Sequence, residues 1–166
     1  MAQDKQLSES LEDYLEIILE LEKGNKVARV KDIAEKMGIQ SGSVTSALKN
    51  LAEKKLINYE PYSYITLTES GMAIAKEMNM RHVVIKDFLS RVLQIDEKKA
   101  DETACRMEHT LDKKSFGMIV QFIKFIDECP RTGDDWMQAF INSCKPDADD
   151  WEKCKACLSQ CSERLK

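Results

Sequence analysis

Residues 30–55 read VKDIAEKMGIQSGSVTSALKNLAEKK, and this stretch decides the fold. Its apolar residues recur at three- and four-residue steps in two blocks, which predicts one helix over residues 30–37 and another over residues 41–55. Gly38 between the blocks predicts a tight turn, and Ser41 is a typical N-cap residue for the second helix. Two helices joined by a short glycine turn form the unit that places its second helix in the major groove of DNA. The stretch therefore predicts a helix-turn-helix.

The segments on either side extend this unit. Before it, apolar residues at helical spacing predict an amphipathic helix over residues 8–23. After it, residues 57–60 and 64–68 alternate like two strands, with Pro61 in the turn between them. Three helices followed by a small hairpin is the element order of a winged helix-turn-helix.

The second half of the chain predicts only helices. Apolar residues at three- and four-residue steps indicate helices over residues 69–92, 96–111 and 115–128, with Phe122 among the inward-facing residues of the last one. These apolar faces exceed what one domain of about 70 residues can bury, which predicts a homodimer.

Charge is unevenly distributed along a chain whose formal net charge is −4. Residues 24–58 carry seven basic and three acidic side chains, whereas residues 4–22 carry seven acidic side chains and one basic side chain. The basic segment can face a phosphate backbone while the acidic helix faces away. A solvated mixed-charge surface, or a protein-interaction surface on the same fold, is the alternative interpretation. The side chains expected to contact double-stranded DNA are Arg29, Gln40, Ser41, Ser43, Thr45, Ser46, Lys49 and Tyr62.

The chain has only two histidines, and one of them ends a cluster of residue types that bind metals. Cys105 and Glu108 are three residues apart, and Cys105 and His109 are four apart. On a helix these spacings bring the three side chains to one face. A thiolate, a carboxylate and an imidazole together favour a divalent transition metal over calcium or magnesium. Cys105 taken alone would more often be a core residue.

Six short motifs extend this pattern over residues 11–127. They are LEDYLE (residues 11–16), ARVKDIA (28–34), SVT (43–45), LTESG (67–71), Arg81-His82 and ACRMEH (104–109). In this order and at these spacings, they resemble the diphtheria toxin repressor family of metal-dependent transcriptional repressors, including its shorter manganese transport regulator branch.

The resemblance implies a ligand set that adds three residues to the cluster on the helix. Asp13 and Glu16 match two acids of the first helix in the manganese branch, and His82 matches the histidine of the long linking helix. Taken alone, the two acids would commonly be a solvated helix face, and His82 a hydrogen-bonded histidine. The full set that the resemblance implies is Asp13, Glu16, His82, Cys105, Glu108 and His109.

This implied set mixes two branches of the family. The manganese branch usually has glutamate at the position of Cys105, whereas the iron-responsive branch has cysteine there and methionine at the position of Asp13. The softer thiolate favours Fe(II), with Mn(II) as the alternative. Lys86 stands where the iron branch has a carboxylate of its ancillary site, so we expect no ancillary site of that form. The chain is also too short for the SH3-like domain of longer members.

The resemblance thus implies a repressor that binds operator DNA as a homodimer when loaded with Fe(II) or Mn(II), and so controls metal homeostasis. The expected fold class is mainly α. The expected domains are a winged helix-turn-helix DNA-binding domain over residues 1–72, a helical metal-binding and dimerisation domain over residues 73–140, and a cysteine-rich helical tail over residues 141–166.

Five of the six cysteines lie toward the C-terminus: Cys129, Cys144, Cys154, Cys157 and Cys161. They include a C-x-x-C pair, and four thiolates can hold Zn(II) or an iron–sulfur cluster. Trp151, Leu158 and Leu165 fall on the same helical stripe as two of the cysteines, which fits core packing instead. Neighbouring lysines would also suit a redox-active thiol. All three interpretations are open from the sequence.

Other classes of protein find no support in the sequence. No apolar run reaches the roughly 18–20 residues that cross a bilayer, and the polar start of the chain lacks the pattern of a signal peptide. We therefore expect a cytoplasmic protein with no membrane partner. There is no H-E-x-x-H or other catalytic signature, so we expect neither an enzyme nor a small-molecule substrate. A thiol-based redox-responsive regulator on the same winged-helix fold is the alternative function.

Overall fold

The computed structural model describes residues 7–25, 27–60 and 63–128. Over these residues the chain forms six α-helices, one π-helical turn and a two-stranded antiparallel sheet. The mainly α fold predicted from the sequence is confirmed. In chain order the elements are α1 (Glu9–Asn25), α2 (Val30–Met37), α3 (Ser41–Glu53), β1 (Ile57–Asn58), β2 (Thr66–Leu67), α4 (Glu69–Asp87), the π turn (Phe88–Val92), α5 (Glu97–Thr110) and α6 (Lys113–Glu128).

The first three helices and the sheet pack around one core, and together we call α1 to β2 the winged unit. Its fully buried side chains come from every helix, and they include Leu15, Ile18, Ile33, Val44, Leu48 and Leu51. Gly38 ends α2 in the left-handed region at φ 66°, and its N–H is bonded to the carbonyl of Glu35 at 3.2 Å. A residue with a side chain would be strained there, which is why glycine makes this turn.

The start of α3 differs from the prediction by one residue. Gln40, in extended conformation, is the N-cap, and its carbonyl accepts the N–H groups of Ser43 and Val44 at 3.0 and 3.3 Å. Ser41 is therefore the first residue inside the helix, so its predicted role as N-cap is wrong. Its carbonyl instead accepts the hydroxyl of Thr45 at 2.9 Å. The turn that follows Gly38 is one residue shorter than we expected from the preference of serine for the N-cap.

The wing is also shorter than predicted. Among the described residues of the wing, only Ile57 with Leu67 and Asn58 with Thr66 pair as strands. The backbone of Ile65 bonds instead to Ala28, which precedes α2, with N···O distances of 2.9 and 3.3 Å. Because that residue pairs with the connection before α2, the hairpin ladder ends there.

A close backbone contact joins the winged unit to α4. A Cβ atom built on Gly71 would lie 1.9 Å from the carbonyl oxygen of Leu56, so only glycine fits at this point of the helix. Thr68 caps α4 by accepting the N–H of Gly71 at 3.1 Å, and its own hydroxyl donates to the carbonyl of Lys55 at 2.9 Å. The first turn of α4 is thereby fixed on the end of α3.

The helices α4 to α6 form a second core, and we call them the helical unit. Ile85, Leu89, Ala100 and Ala104 are its buried residues, and they lie between α4 with its π turn and α5. The last residues of the helix predicted over 69–92 adopt the wider π turn instead of α geometry. Phe122 of α6 was predicted to face inward, but it is 41% exposed. Its ring packs edge-to-face against Phe88, at 6.1 Å between ring centroids.

Candidate metal centre

The two units meet where α1, α4 and α5 come together. Helix α1 of the winged unit presents three acids at this junction, Glu12, Asp13 and Glu16, spaced so that they share a helix face. Helix α5 of the helical unit presents Glu108 and His109 to the same place. The spacings that predicted one face on each helix are therefore compatible with a single site between them.

His109 lies closest to α1. Its Nδ1 is 2.8 Å from Oε2 of Glu12, and its Nε2 is 3.0 Å from Oδ1 of Asp13 and 3.3 Å from Oε1 of Glu108. The side chain is only 6% exposed, and Nε2 has no hydrogen-bond partner because neither of these two carboxylates approaches it in hydrogen-bonding direction. Ligand atoms of Asp13, Glu16 and His109 all lie within 4.8 Å of one another. A buried imidazole nitrogen that lacks a hydrogen bond, beside two carboxylates, fits a divalent transition metal.

Glu108 connects the two histidines. Its side chain is 1% exposed, with Oε2 at 2.8 Å from Nδ1 of His82 and Oε1 at 3.3 Å from Nε2 of His109. A buried carboxylate is costly unless it is paired, and these imidazoles are its partners. The hydrogen bond to Glu108 raises the pKa of His82 to about 9.

The carboxylates at the junction disfavour one another's ionisation. Burial, followed by repulsion from Glu108, raises the pKa of Glu16 to about 7. Burial also raises the pKa of Asp13, although attraction to His109 opposes the rise. A bound cation would relieve the repulsion between acids that are held this close together.

Cys105 lies at the rim of this site. It is exposed, and it lines a cavity of about 390 Å³ together with Asp13, Glu16, His82 and Glu108. Burial of the thiol group, followed by repulsion from Glu108 and Asp13, raises its pKa. The structure therefore brings all six predicted ligands to one region, with Asp13, Glu16 and His109 as the tight group and with His82 and Cys105 further out.

Two acids at the site were absent from the sequence prediction. Glu12 holds Nδ1 of His109, and Asp101 lies 3.3 Å from Nε2 of His82. Lys86, which the resemblance marked as a departure, pairs with Asp101 at 2.9 Å, and its ammonium group holds the pKa of that carboxyl below its usual range. The signal for both acids was helical spacing, since Glu12 is four residues before Glu16 and Asp101 four before Cys105.

The described residues predicted to contact DNA are Arg29 before α2, Gln40 before α3, and five residues of α3. Those with exposed side chains are Arg29, Gln40, Ser41, Ser43, Ser46 and Lys49, and Thr45 is half-buried. A groove of about 670 Å³ between α3 and the wing is lined by Arg29 and Lys49, and also by Lys31 and Tyr64, which the sequence prediction omitted. The guanidinium of Arg29 lies over the ring of Tyr64 at 5.3 Å.

Some predicted residues lie outside the described part of the chain. They are Tyr62 and the five C-terminal cysteines Cys129, Cys144, Cys154, Cys157 and Cys161. Within the described ranges, no helix is both long enough and apolar enough to span a bilayer.

Comparison with known proteins gives consistent matches along the chain. Residues 6–65 match the iron dependent repressor N-terminal DNA binding domain, and residues 68–137 match the iron dependent repressor metal binding and dimerisation domain. An uncharacterised HTH-type transcriptional regulator of Methanocaldococcus jannaschii is 40% identical over 124 residues, which cover 74% of this chain and 99% of that protein. The HTH-type transcriptional regulator MntR of Bacillus pumilus is 34% identical over 119 residues, which cover 72% of this chain and 82% of that protein.

A solved structure agrees with these matches. The manganese regulator SloR superposes with a TM-score of 0.62 at 29% sequence identity, over 69% of this chain and 54% of that one. The chain thus spans about half the length of that solved relative.

Proposed function

The chain belongs to the iron-dependent repressor family of metal-dependent transcriptional regulators, and from that premise we propose that Asp13, Glu16, Glu108 and His109 hold its metal ion, with His82 and Cys105 completing the ligand set. The observation that carries the proposal is the 3.0 Å approach of Asp13 in the winged unit to Nε2 of His109 in the helical unit. One set of ligands therefore comes from both sides of the junction.

The residues at the junction fit a divalent cation. The orphaned Nε2 of His109 offers a lone pair, and ligand atoms of Asp13 and Glu16 lie within 4.8 Å of this imidazole. A bound divalent ion would supply positive charge to these groups. Because α1 packs against α3 in the winged unit, fixing α1 against α5 narrows the range of positions open to α3. We infer that this restriction sets the geometry in which the protein binds its operator.

The proposed partner is double-stranded operator DNA. The exposed serine and lysine side chains of α3 suit contacts to base edges and phosphates, and the groove with Arg29 and Tyr64 suits the neighbouring backbone. In a homodimer the two α3 helices would lie about 34 Å apart, which is one turn of DNA. Such a regulator would act in the cytoplasm, where its operator is.

The proposed dimer surface is apolar. Large hydrophobic side chains are exposed on two helices of the helical unit: Met80 and Val83 on α4, and Met118, Phe122 and Phe125 on α6. Exposed apolar residues of this size are typical of an interface rather than of a monomer's surface. The family's dimerisation domain covers the same part of the chain.

Fe(II) is the proposed metal, with Mn(II) as the alternative. Cys105 offers a soft ligand that favours iron over manganese, while the carboxylates suit either ion. The redox-responsive alternative fits the site less well. A reactive thiol needs a lowered pKa, whereas partial burial, followed by repulsion from the surrounding acids, raises the pKa of Cys105.

The test is operator binding with and without metal. We expect Fe(II) or Mn(II) to increase the affinity of the wild-type protein for DNA from its own promoter by about 5- to 150-fold. Glu108→Ala and His109→Ala should abolish this increase, because each removes a proposed ligand that the helical unit contributes to the site between the two units. Glu102→Ala, an exposed acid on the same helix, is the matched control and should behave as wild type. Equal operator affinity with and without metal would exclude the proposed function.

A further inference from the structure

His82 lies between two carboxylates that differ in burial. Its Nδ1 is 2.8 Å from Oε2 of Glu108, which is buried in the junction. Its Nε2 is 3.3 Å from Oδ1 of Asp101, whose side chain is 53% exposed. An imidazole that binds a metal uses one ring nitrogen and usually donates the other N–H to an oxygen acceptor. The two carboxylates therefore favour two different tautomers of His82, which differ in the ring nitrogen that is free to bind the ion.

Asp101 is the better anchored of the two acceptors. Its Oδ1 is 2.9 Å from the ammonium of Lys86, which lies one helical turn after His82 on α4. The same ammonium is 3.6 Å from Glu97 on α5, so it joins the two helices beside the imidazole. Glu108 has no such cation among its described contacts, since both of its oxygens face histidines.

The cavity lies on the Nδ1 side of the ring. Asp13, Glu16, His82 and Glu108 line it, whereas Asp101 and Lys86 do not. A proton kept on Nε2 by Asp101 leaves the lone pair of Nδ1 directed toward these acids. A proton kept on Nδ1 by Glu108 would turn the free lone pair away from them.

Building on the function proposed above, we propose that Asp101, held in place by Lys86, is a positioning residue that retains the Nε2 proton of His82 and so presents Nδ1 to the metal. The ion pair between Lys86 and Asp101 has a second consequence. The positive charge of Lys86 occupies the position beside Asp101, which makes this carboxylate an acceptor for His82 and not a ligand. Asp101 thus sets which nitrogen of His82 binds without contacting the ion.

Mn(II) affinity, followed by the electron paramagnetic resonance signal of the free ion, tests the proposal in the full-length protein. Asp101→Ala should weaken binding by about tenfold, the lower end of the loss seen when the hydrogen-bond acceptor of a ligating histidine is removed. Asp101→Asn should restore most of the loss, because an amide oxygen also accepts the Nε2–H. Glu102→Ala removes the same charge from the next residue and should have no effect. Lys86→Met should weaken binding less than Asp101→Ala, because the acceptor stays but loses its anchor.

A His82→Ala background separates positioning from general charge. If Asp101 acts through His82, Asp101→Ala should cause no further loss of affinity in that background. An equal loss in both backgrounds would overturn the proposal. Wild-type protein that did not bind Mn(II) at all would instead overturn the function on which the proposal rests.

The ring nitrogens of His82 give a readout that a purely structural role for Asp101 would not change. In protein loaded with excess Zn(II), nitrogen-15 NMR should find the proton on Nε2 and the metal on Nδ1. In Asp101→Ala, a second species with the nitrogens exchanged should appear. Metal on Nε2 in the wild type would overturn the assignment, as would an unchanged spectrum in the variant.

Discussion

Single residues at the junction hold protons that a metal ion would compete for. His82 donates to buried Glu108, and Glu16 lies against the same carboxylate. In the metal-free protein these contacts stabilise the protonated forms of both side chains. Glu12, which binds Nδ1 of His109, orients the other imidazole in the same way from the winged unit. The protonation states of His82 and Glu16 therefore affect the stability of the contact between the two units.

The metal-free protein should lose stability as the pH rises. Glu16 has a usual pKa of 4.5 and a pKa of about 7 in the folded chain, so its contribution is lost between these values as the carboxyl ionises. His82 has a usual pKa of 6.5 and a folded pKa of about 9, so its contribution is fully present below pH 6.5 and is lost as the pH rises through 9. Together we expect the free energy of unfolding to fall by about 2 kcal/mol between pH 5 and pH 9, after allowing for partial exposure.

Urea unfolding in the presence of a chelator and a reductant measures this fall. His82→Gln should remove the fall in the free energy of unfolding above pH 6.5 and leave the fall below that pH. Glu16→Gln should remove the fall at the lower pH and leave the one above pH 6.5. A free energy of unfolding that stayed constant from pH 6.5 to 9 in the wild type would contradict the assignment of the His82 proton to the contact with Glu108.

Much of the site could be predicted at this scale, but its supporting residues could not. The spacing of Cys105, Glu108 and His109 fixes a common helix face, and the resemblance supplied Asp13, Glu16 and His82. Spacing does not reveal which acid on a neighbouring helix reaches a given ring nitrogen. That depends on how α1 and α4 pack against α5. Spacing thus placed Glu12 and Asp101 on the right helix faces, but only the folded chain shows which imidazole each acid contacts.

At the scale of elements, the position of α4 depends on one glycine. Gly71→Ala should destabilise the protein by about 1–3 kcal/mol, because the new Cβ would lie 1.9 Å from the carbonyl oxygen of Leu56 and the helix would have to shift. Gly117→Ala is the matched control, since this glycine is also helical and has no atom within 4 Å of an added Cβ. It should stabilise the protein by about 0.5–1 kcal/mol through helix propensity.

Thermal unfolding of the two variants provides the measurement. Opposite shifts of the melting temperature are expected, downward for Gly71→Ala and upward for Gly117→Ala. A Gly71→Ala protein as stable as the wild type would show that α4 can move away from Leu56 at no cost, which would contradict the role given to this glycine.

Helix type was easier to predict than helix ends. Apolar periodicity identified the six helices of the described residues, because α1 to α5 each bury apolar side chains against a core and α6 carries a similar apolar stripe. Local competition decided the differences. Ile65 pairs with Ala28 and so shortens the hairpin, and the chain after Asp87 widens into a π turn before α5. The end of α5 depends on a long-range contact instead. The guanidinium of Arg81 donates to the carbonyls of Glu108 and Leu111, which are 27 and 30 residues away in sequence.

At the scale of the whole molecule, the proposed metal centre and the proposed dimer surface on α6 are built from different residues. The proposed ligands all come from one chain, at the junction of its two units. The exposed apolar side chains of α6 lie on another face. Metal affinity and subunit affinity should therefore be separable by mutation, although operator binding needs both.

Met118→Asp should separate them. Met118 is 57% exposed on α6, so a charge there leaves the fold of one chain intact but would be buried without a partner in the dimer. We expect the dimer dissociation constant to rise by about 100-fold, which corresponds to about 3 kcal/mol. Sedimentation equilibrium measures it, with Lys124→Asp, an exposed position on another side of the same helix, as the control for added negative charge. Mn(II) should still bind Met118→Asp with wild-type affinity, while operator DNA should bind it weakly with or without metal. A Met118→Asp protein that remained as dimeric as the wild type would move the subunit interface away from this face of α6.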